Sequence, residues 1–287
     1  MADTRYNWGG IAFPLSGGVR SVGLSIGNFG FSDQPIYTVD DPNGTTNRTY
    51  SVSETFVSAT YGQNFSDRFS AGLSVKFIND RLGETQANAI AVDFGTNFHA
   101  QIGERPIRAA FVIENLGSTL RHDGQALNVG VQREPPQGTP PVAQEPQQSR
   151  LRTSPWGLPV LFRVSISFDA LNRGVNRVTV LSEFTQPNNT KPGAGLGLEW
   201  AVANIGNSGF SLAARGSYTV QPNNAMNDIN LGTLATQQST GSYTSDGIAV
   251  GGGIGWSRAN TRLGFDYAWK NLGLLGGTNF LSFNFGW

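Results

Sequence analysis

The chain has 287 residues, enough for one large domain, with 14% charged and 38% hydrophobic residues, 37 glycines and a formal net charge of zero. A balanced charge and a pI near 6.7 exclude a polybasic nucleic-acid or acidic-surface binder, and the absence of cysteine excludes disulfide staples and thiol chemistry. No run of about 18 apolar residues occurs, which excludes a transmembrane helix but not barrel strands, since those need only about 9–11 alternating residues.

In chain order, MADTRYNWGG lacks a basic start, an apolar core and a cleavage site, so it does not read as a signal peptide. WGGIAFPL and VRSVGLSIGNF read as strands around the turn Ser16-Gly17-Gly18, with Val22, Leu24 and Ile26 on one face. Residues 29–51 are polar and turn-rich, predicting a long loop. ETFVSATYGQNF and RFSAGLSVKFIND form a hairpin whose apolar face is Val57, Ala59, Tyr61, Phe69, Leu73, Val75 and Phe77, with Lys76 opposite. ANAIAVDFGTNF puts Ile90, Val92, Phe94 and Phe98 outward and Asp93 inward. IRAAFVIEN sets Ile107, Phe111 and Ile113 against Arg108 and Glu114.

Residues 115–157 are the least regular stretch, because Pro and Gln at the density of REPPQGTPPVAQEPQQ form neither ladder nor core. Strands resume with LPVLFRVSISFD, NRVTVLSEF, GAGLGLEWAV, GFSLAARGSYTV and DGIAVGGGIGW, interrupted by a long loop at 221–246. The closing hairpin, TRLGFDYAWK and NFLSFNFGW, alternates aromatics with charged or tiny residues and ends on Trp287. About thirteen strands result. Short turns at 15–18, 66–68, 101–106, 170–174, 203–208 and 257–260 alternate with longer connections at 29–51, 79–86, 115–157, 186–192, 221–246 and 271–277. That sorting, with the small polar face, predicts an all-β, antiparallel, up-and-down transmembrane barrel rather than a soluble sandwich. The reading is one outer-membrane β-barrel domain over 1–287, in the bacterial outer membrane and in contact with its lipid. Short turns would face the periplasm.

An even barrel ending in the periplasm would begin with an ascending strand, whereas the first strand read here descends. The expectation is therefore an N-terminally truncated barrel, with about 13 strands visible of 14. The alternative is that residues 1–7 close the seam in a shorter way.

The inward face carries Lys76, Asp93, Arg108, Glu114, Arg163, Glu183, Glu199, Arg215, Arg262, Asp266 and Lys270. Six are basic and five acidic, so the expectation is a network neutralising itself across the lumen, with a selective polar path as the sharper alternative. Trp200, Trp256, Trp269 and Trp287, with Trp156, Phe65 and Phe98, are expected at the membrane interfaces. His99 and His122 have no Cys or carboxylate at metal-ligand spacing, and no nucleophile–base pair is legible; no catalysis, metal or cofactor is expected. The strings GGGIG and GLGLG lie within strands and open no helix, so they are not phosphate loops.

SATYGQNFSDRFSAGLSVKFINDRL, AIAVDFGTNF and IRAAFVIENLG together resemble the PorV/PorQ family, relatives of the long-chain fatty-acid transporter barrels. The residues that carry the likeness are Tyr61, Asp67-Arg68-Phe69, Gly72, Lys76, Asp93-Phe94-Gly95 and Asn115-Leu116-Gly117, continued by GLGLEW and the last hairpin. The chain departs from the family in lacking its leader and an N-terminal segment ending in a motif like NPAGL. The resemblance implies a fourteen-stranded barrel that delivers secreted cargo in type IX secretion, with cargo proteins and other secretion components as partners and the long loops as contacts. The alternative it implies is transport of hydrophobic small molecules such as long-chain fatty acids.

Overall fold

In a computed structural model, residues 4–39, 41–131, 147–220, 247–273 and 276–287 are described. The predicted loop 221–246 and the centre of 115–157 lie outside these residues. Thirteen long strands form the wall: β1 Thr4–Leu15, β2 Arg20–Pro35, β3 Thr49–Ser66, β4 Phe69–Leu82, β5 Thr85–Ile102, β6 Arg105–Gly117, β7 Leu161–Arg173, β8 Asn176–Pro187, β9 Gly193–Val202, β10 Phe210–Val220, β11 Ile248–Arg258, β12 Thr261–Asn271 and β13 Gly277–Gly286. Each pairs antiparallel with the next, so sheet order is chain order; the two-residue strand Asp123–Gly124 joins β5 as a fourteenth member. The only helices among the described residues are three-residue 3-10 turns.

The pattern that builds the wall is register plus alternation. Ile11, Leu24, Ala59, Val75 and Val92 lie opposite one another on successive strands, one apolar row on the outside. The adjacent row, Ser25, Ser58, Lys76 and Ala91, faces inward, and Ser25 and Ser58 share a hydrogen bond of 2.8 Å. Exposure is inverted relative to a soluble domain. Phe283 is 71% and Leu196 65% exposed, whereas Ala91, behind the wall, is 0% exposed. Apolar surface open all along one face of the sheet is the signature of a wall solvated by lipid.

With thirteen strands, β1 and β13 run parallel, and no ladder joins them among the described residues. They meet at the turn end, where the Phe13 and Trp287 rings lie 6.5 Å apart, edge to face.

Two predicted loops shrink. The connection expected at 79–86 is a tight turn at Gly83 and Glu84, because β4 and β5 continue to Leu82 and from Thr85, and Gly83 supplies the positive φ of 57°. The loop expected at 29–51 is confined to 36–48, since β2 runs past a register shift between Phe31 and Gln34. The strict sorting of loop lengths therefore fails at 83–84, and also at 203–209, which at seven residues is longer than the five of 188–192 or 272–276.

Candidate functional site

The inner surface is built differently on its two sides. Over β1–β3 the apolar residues change parity. Val22, Leu24 and Ile26 point out, but Phe29 and Phe31 fall on the other face; Trp8 likewise opposes Ile11 and Phe13, and Phe56 opposes Val57. Register runs from Trp8 through Gly27 and Phe56 to Ile78 and Ala89, and from Tyr6 through Phe29 and Glu54 to Asp80 and Ala87. The Phe56 ring covers Gly27 so closely that a Cβ there would sit 2.3 Å from it. Trp8 and Tyr6 remain 61% and 59% exposed, facing the lumen. This aromatic surface was legible in the odd–even change of position, though the wall was read with one apolar face only.

The described ends of the predicted loop 115–157 instead turn inward. Leu120 and Leu158 pack with Ile78, Ala87, Ala89 and Ala91 in the buried cluster behind β4 and β5, with Phe56 against it. Thr119–Leu120 pairs with Trp156–Gly157, and Asp123–Gly124 pairs with the start of β5. Trp156 is therefore not a membrane-interface residue; it stacks on His122 at 5.1 Å. The hinge of this segment is Asn115-Leu116-Gly117. Asn115 adopts φ 64°, its backbone N–H donates to Asp93 at 2.8 Å, and its amide donates to the Pro159 carbonyl at 3.0 Å. Lys76 Nζ lies 2.8 Å from Asp93 and donates to the Asn115 side chain as well. A Cβ on Gly117 would fall 2.2 Å from the Ile90 carbonyl, so only glycine lets the chain turn in there. Residues picked out by the family resemblance, Lys76, Asp93, Asn115 and Gly117, thus converge on one hinge.

His122 bridges Thr85 Oγ1 at 3.1 Å and Asp80 at 3.2 Å. The line resembles a nucleophile, base and acid, but Thr85 Oγ1 also donates to the Leu82 carbonyl and the group is buried against Trp156. Its geometry is that of a latch holding the inward segment.

On the β6–β12 side the predicted charges pair along the wall rather than across the lumen. Glu114 and Glu183 flank Arg163 at 3.6 and 3.8 Å. Arg108 reaches Asp169 at 3.1 Å, which also accepts from Thr179 at 2.8 Å. Arg177, Glu199, Arg215 and Asp266 form one row: 2.9 Å from Arg177 to Glu199, 2.7 Å from Arg215 to Glu199, and a direct bond from Arg215 to Asp266. The last contact passes over β11, where Gly253 has no side chain to obstruct it. Asp169 and Arg177 were missed in the sequence, although both share the parity of the inward residues beside them. Arg262 and Lys270 share the inward face of β12 but have no ion-pair partner among the described residues. The row separates two cavities, one of about 530 Å³ toward the loop end and one of about 420 Å³ toward the turn end, with Glu199, Arg215 and Asp266 lining both.

Outside, Trp200 and Trp256 share the parity of Leu198 and Ile254 near the turn ends of β9 and β11, and Trp287 follows the end of β13. Trp269 stands near the loop end of β12, above Gly277, where a Cβ would meet its ring at 2.3 Å. No group of residues that could hold a metal ion occurs among the described residues.

No protein-family model matches the chain, and no curated protein matches its sequence. Among solved structures it is similar to the toluene transporter TodX of Pseudomonas putida, with a TM-score of 0.51 and 9% identity over 100% of this chain and 85% of that one. CdiB from Acinetobacter baumannii matches with a TM-score of 0.45 and 10% identity, over 99% of this chain and 51% of that one. BamA from Haemophilus ducreyi, lacking POTRA domains 1–3, matches at 0.33 and 12%, over 94% and 58%. An apolar outer face and an in-order antiparallel wall, with the fold similarity to TodX, define an up-and-down β-barrel of the transmembrane kind.

Proposed function

We propose that the protein carries hydrophobic small molecules across the outer membrane and is not an enzyme. The observation that carries this reading is the aromatic surface of Tyr6, Trp8, Phe29 and Phe56 inside the wall, where lipid does not reach and water gains nothing from it. Fold similarity to a toluene transporter supports it. The test is saturable binding of toluene and of a long-chain fatty acid to the full chain in detergent, followed by calorimetry. Trp8→Ala should weaken affinity roughly 10-fold or more, as expected for about 1.5–3 kcal/mol from one buried ring. Absence of saturable binding of both ligands would overturn the reading.

A second reading, delivery of secreted cargo in the manner of the PorV/PorQ family, is supported by the hinge at Lys76, Asp93, Asn115 and Gly117, where the family-like residues meet. Its test is recovery of secreted proteins on the full chain against a variant with 132–146 replaced by a Gly-Ser linker. Equal recovery by both would count against those residues as the cargo contact.

A further inference from the structure

The lipid belt of the outer face ends on a definite line. Ile26, Val57, Phe77 and Ile90 lie opposite one another on β2–β5, and the next outward row toward the loops is Asn28, Thr55, Asn79 and Asn88. These polar groups bond to each other, Asn28 to Thr55 at 2.8 Å and Asn79 to Asn88 at 2.7 Å. β2–β5 continue past that line, so their inner face there belongs to the mouth of the barrel rather than to its lipid-wrapped middle.

At this level the inner face is aromatic around one carboxylate. Glu54 stands beside Phe29 in register, Tyr6 lies on the far side of Phe29, and Phe56 follows two positions along β3. Phe31 and Tyr50, edge to face at 6.3 Å, carry the aromatic surface on toward the loops. Phe56 also packs against the buried cluster that includes Leu120 and Leu158, so the wall and the inward-turned segment meet there. Glu54 itself is exposed and has no hydrogen-bond or ion-pair partner among the described residues. Two basic groups of this side are already engaged, Lys76 with Asp93 and Asn115, and His122 with Asp80 and Thr85. Asp80, opposite Glu54 on β4, adds a second acidic group.

An unpaired carboxylate among aromatic rings suits one ligand chemistry. Ring faces are negative and attract a cation, the carboxylate balances its charge, and the remaining aromatic area covers an apolar body. An anionic amphiphile would instead be repelled by Glu54 and Asp80. We propose that this surface takes hydrophobic molecules that carry an ammonium group, captured at the mouth with the charge on Glu54 and the apolar end toward Trp8. The assignment rests on the reading of the aromatic surface as a binding site for hydrophobic molecules, and narrows it to a class.

The test is calorimetry on the full chain in a nonionic detergent near neutral pH, with three single-ring probes: benzylammonium, toluene and benzoate. Benzylammonium should bind roughly 5-fold or more tighter than toluene, and benzoate more weakly than either. Added KCl should weaken benzylammonium binding and leave toluene binding unmoved. Glu54→Gln should remove the preference for the amine, whereas Glu54→Asp, which keeps the charge, should retain it. Trp8→Ala should weaken both ligands. Heat-modifiable mobility on gels selects folded protein for each measurement. Equal binding of benzylammonium and toluene by wild type overturns the proposal and leaves the broader reading standing, as does a preference that survives Glu54→Gln. Absence of saturable binding for all three probes overturns the proposal together with the reading of the aromatic surface.

Discussion

Asp169 shows how much one inward carboxylate depends on its neighbours. It is 2% exposed, and besides Thr179 its partner is the Arg108 guanidinium at 3.1 Å. Removing Arg108 leaves a charge that is out of water and half-satisfied. Such losses cost about 3–5 kcal/mol, and the lower end applies here because the Arg108 head is partly open to the lumen. Arg108→Ala should lower the urea midpoint of the folded barrel in lipid, and Asp169→Asn in the same background should restore part of it. Asp41 offers a contrasting case outside the wall. Its carboxylate accepts from the side chains and backbone of Thr46 and Thr45, and these bonds hold its pKa well below the usual carboxylate range. A folded-state pKa below the unfolded one means the turn is held at pH above the ordinary carboxylate value and loosens as pH falls through the folded value. Amide exchange of Thr45 and Thr46 should therefore rise only in strong acid, and Asp41→Asn should remove the dependence.

For single strands, the decisive question is which face meets lipid. Phe283 on β13 pairs with Phe265 on β12, and both are exposed. Phe283→Lys should destabilise the folded barrel by about 2–4 kcal/mol if it sits near the bilayer midplane, measured by refolding into vesicles. Assembly equal to wild type would mean that this face is not in lipid. The same alternation explains what could be seen in the sequence. Strands β4–β13 have one apolar face and one that is mostly small or charged, with Ile78, Leu181 and Phe280 as exceptions, so their number and inward charges were legible from period two. The described parts of 118–160 were not. Leu120, His122 and Leu158 are scattered among polar residues without a period, and only their burial, with Leu120 and Leu158 against the alanines of β5, reveals that the described parts of this stretch turn inward. Ion pairing was legible as composition but not as geometry, because reach depends on which strand is glycine at the crossing, as Gly253 shows.

Across the whole molecule, the wall has two unlike ends of sheet and two unlike sides of lumen. β1 and β13 each lack a hydrogen-bonded neighbour on one side among the described residues, whereas β4 and β5 are paired on both and carry the packed inner segment. Local opening follows such differences in pairing and packing. Hydrogen exchange in lipid should be fastest along Thr4–Leu15 and Gly277–Gly286 and slowest around Ala87–Ala91. Uniform protection across the wall would show that the seam is sealed as firmly as the rest.

The parity change in β1–β3 has a further consequence, for the chain before it reaches the membrane. A strand with one apolar face can meet water with the other, but Trp8, Ile11, Phe13, Leu24, Phe29, Phe56 and Val57 leave these three strands with greasy residues on both. Unfolded in an aqueous compartment, this stretch is the natural seed for aggregation and the first place a holding chaperone would grip. The surface suited to an apolar passenger in the finished barrel is, during delivery, the part of the chain most in need of an escort.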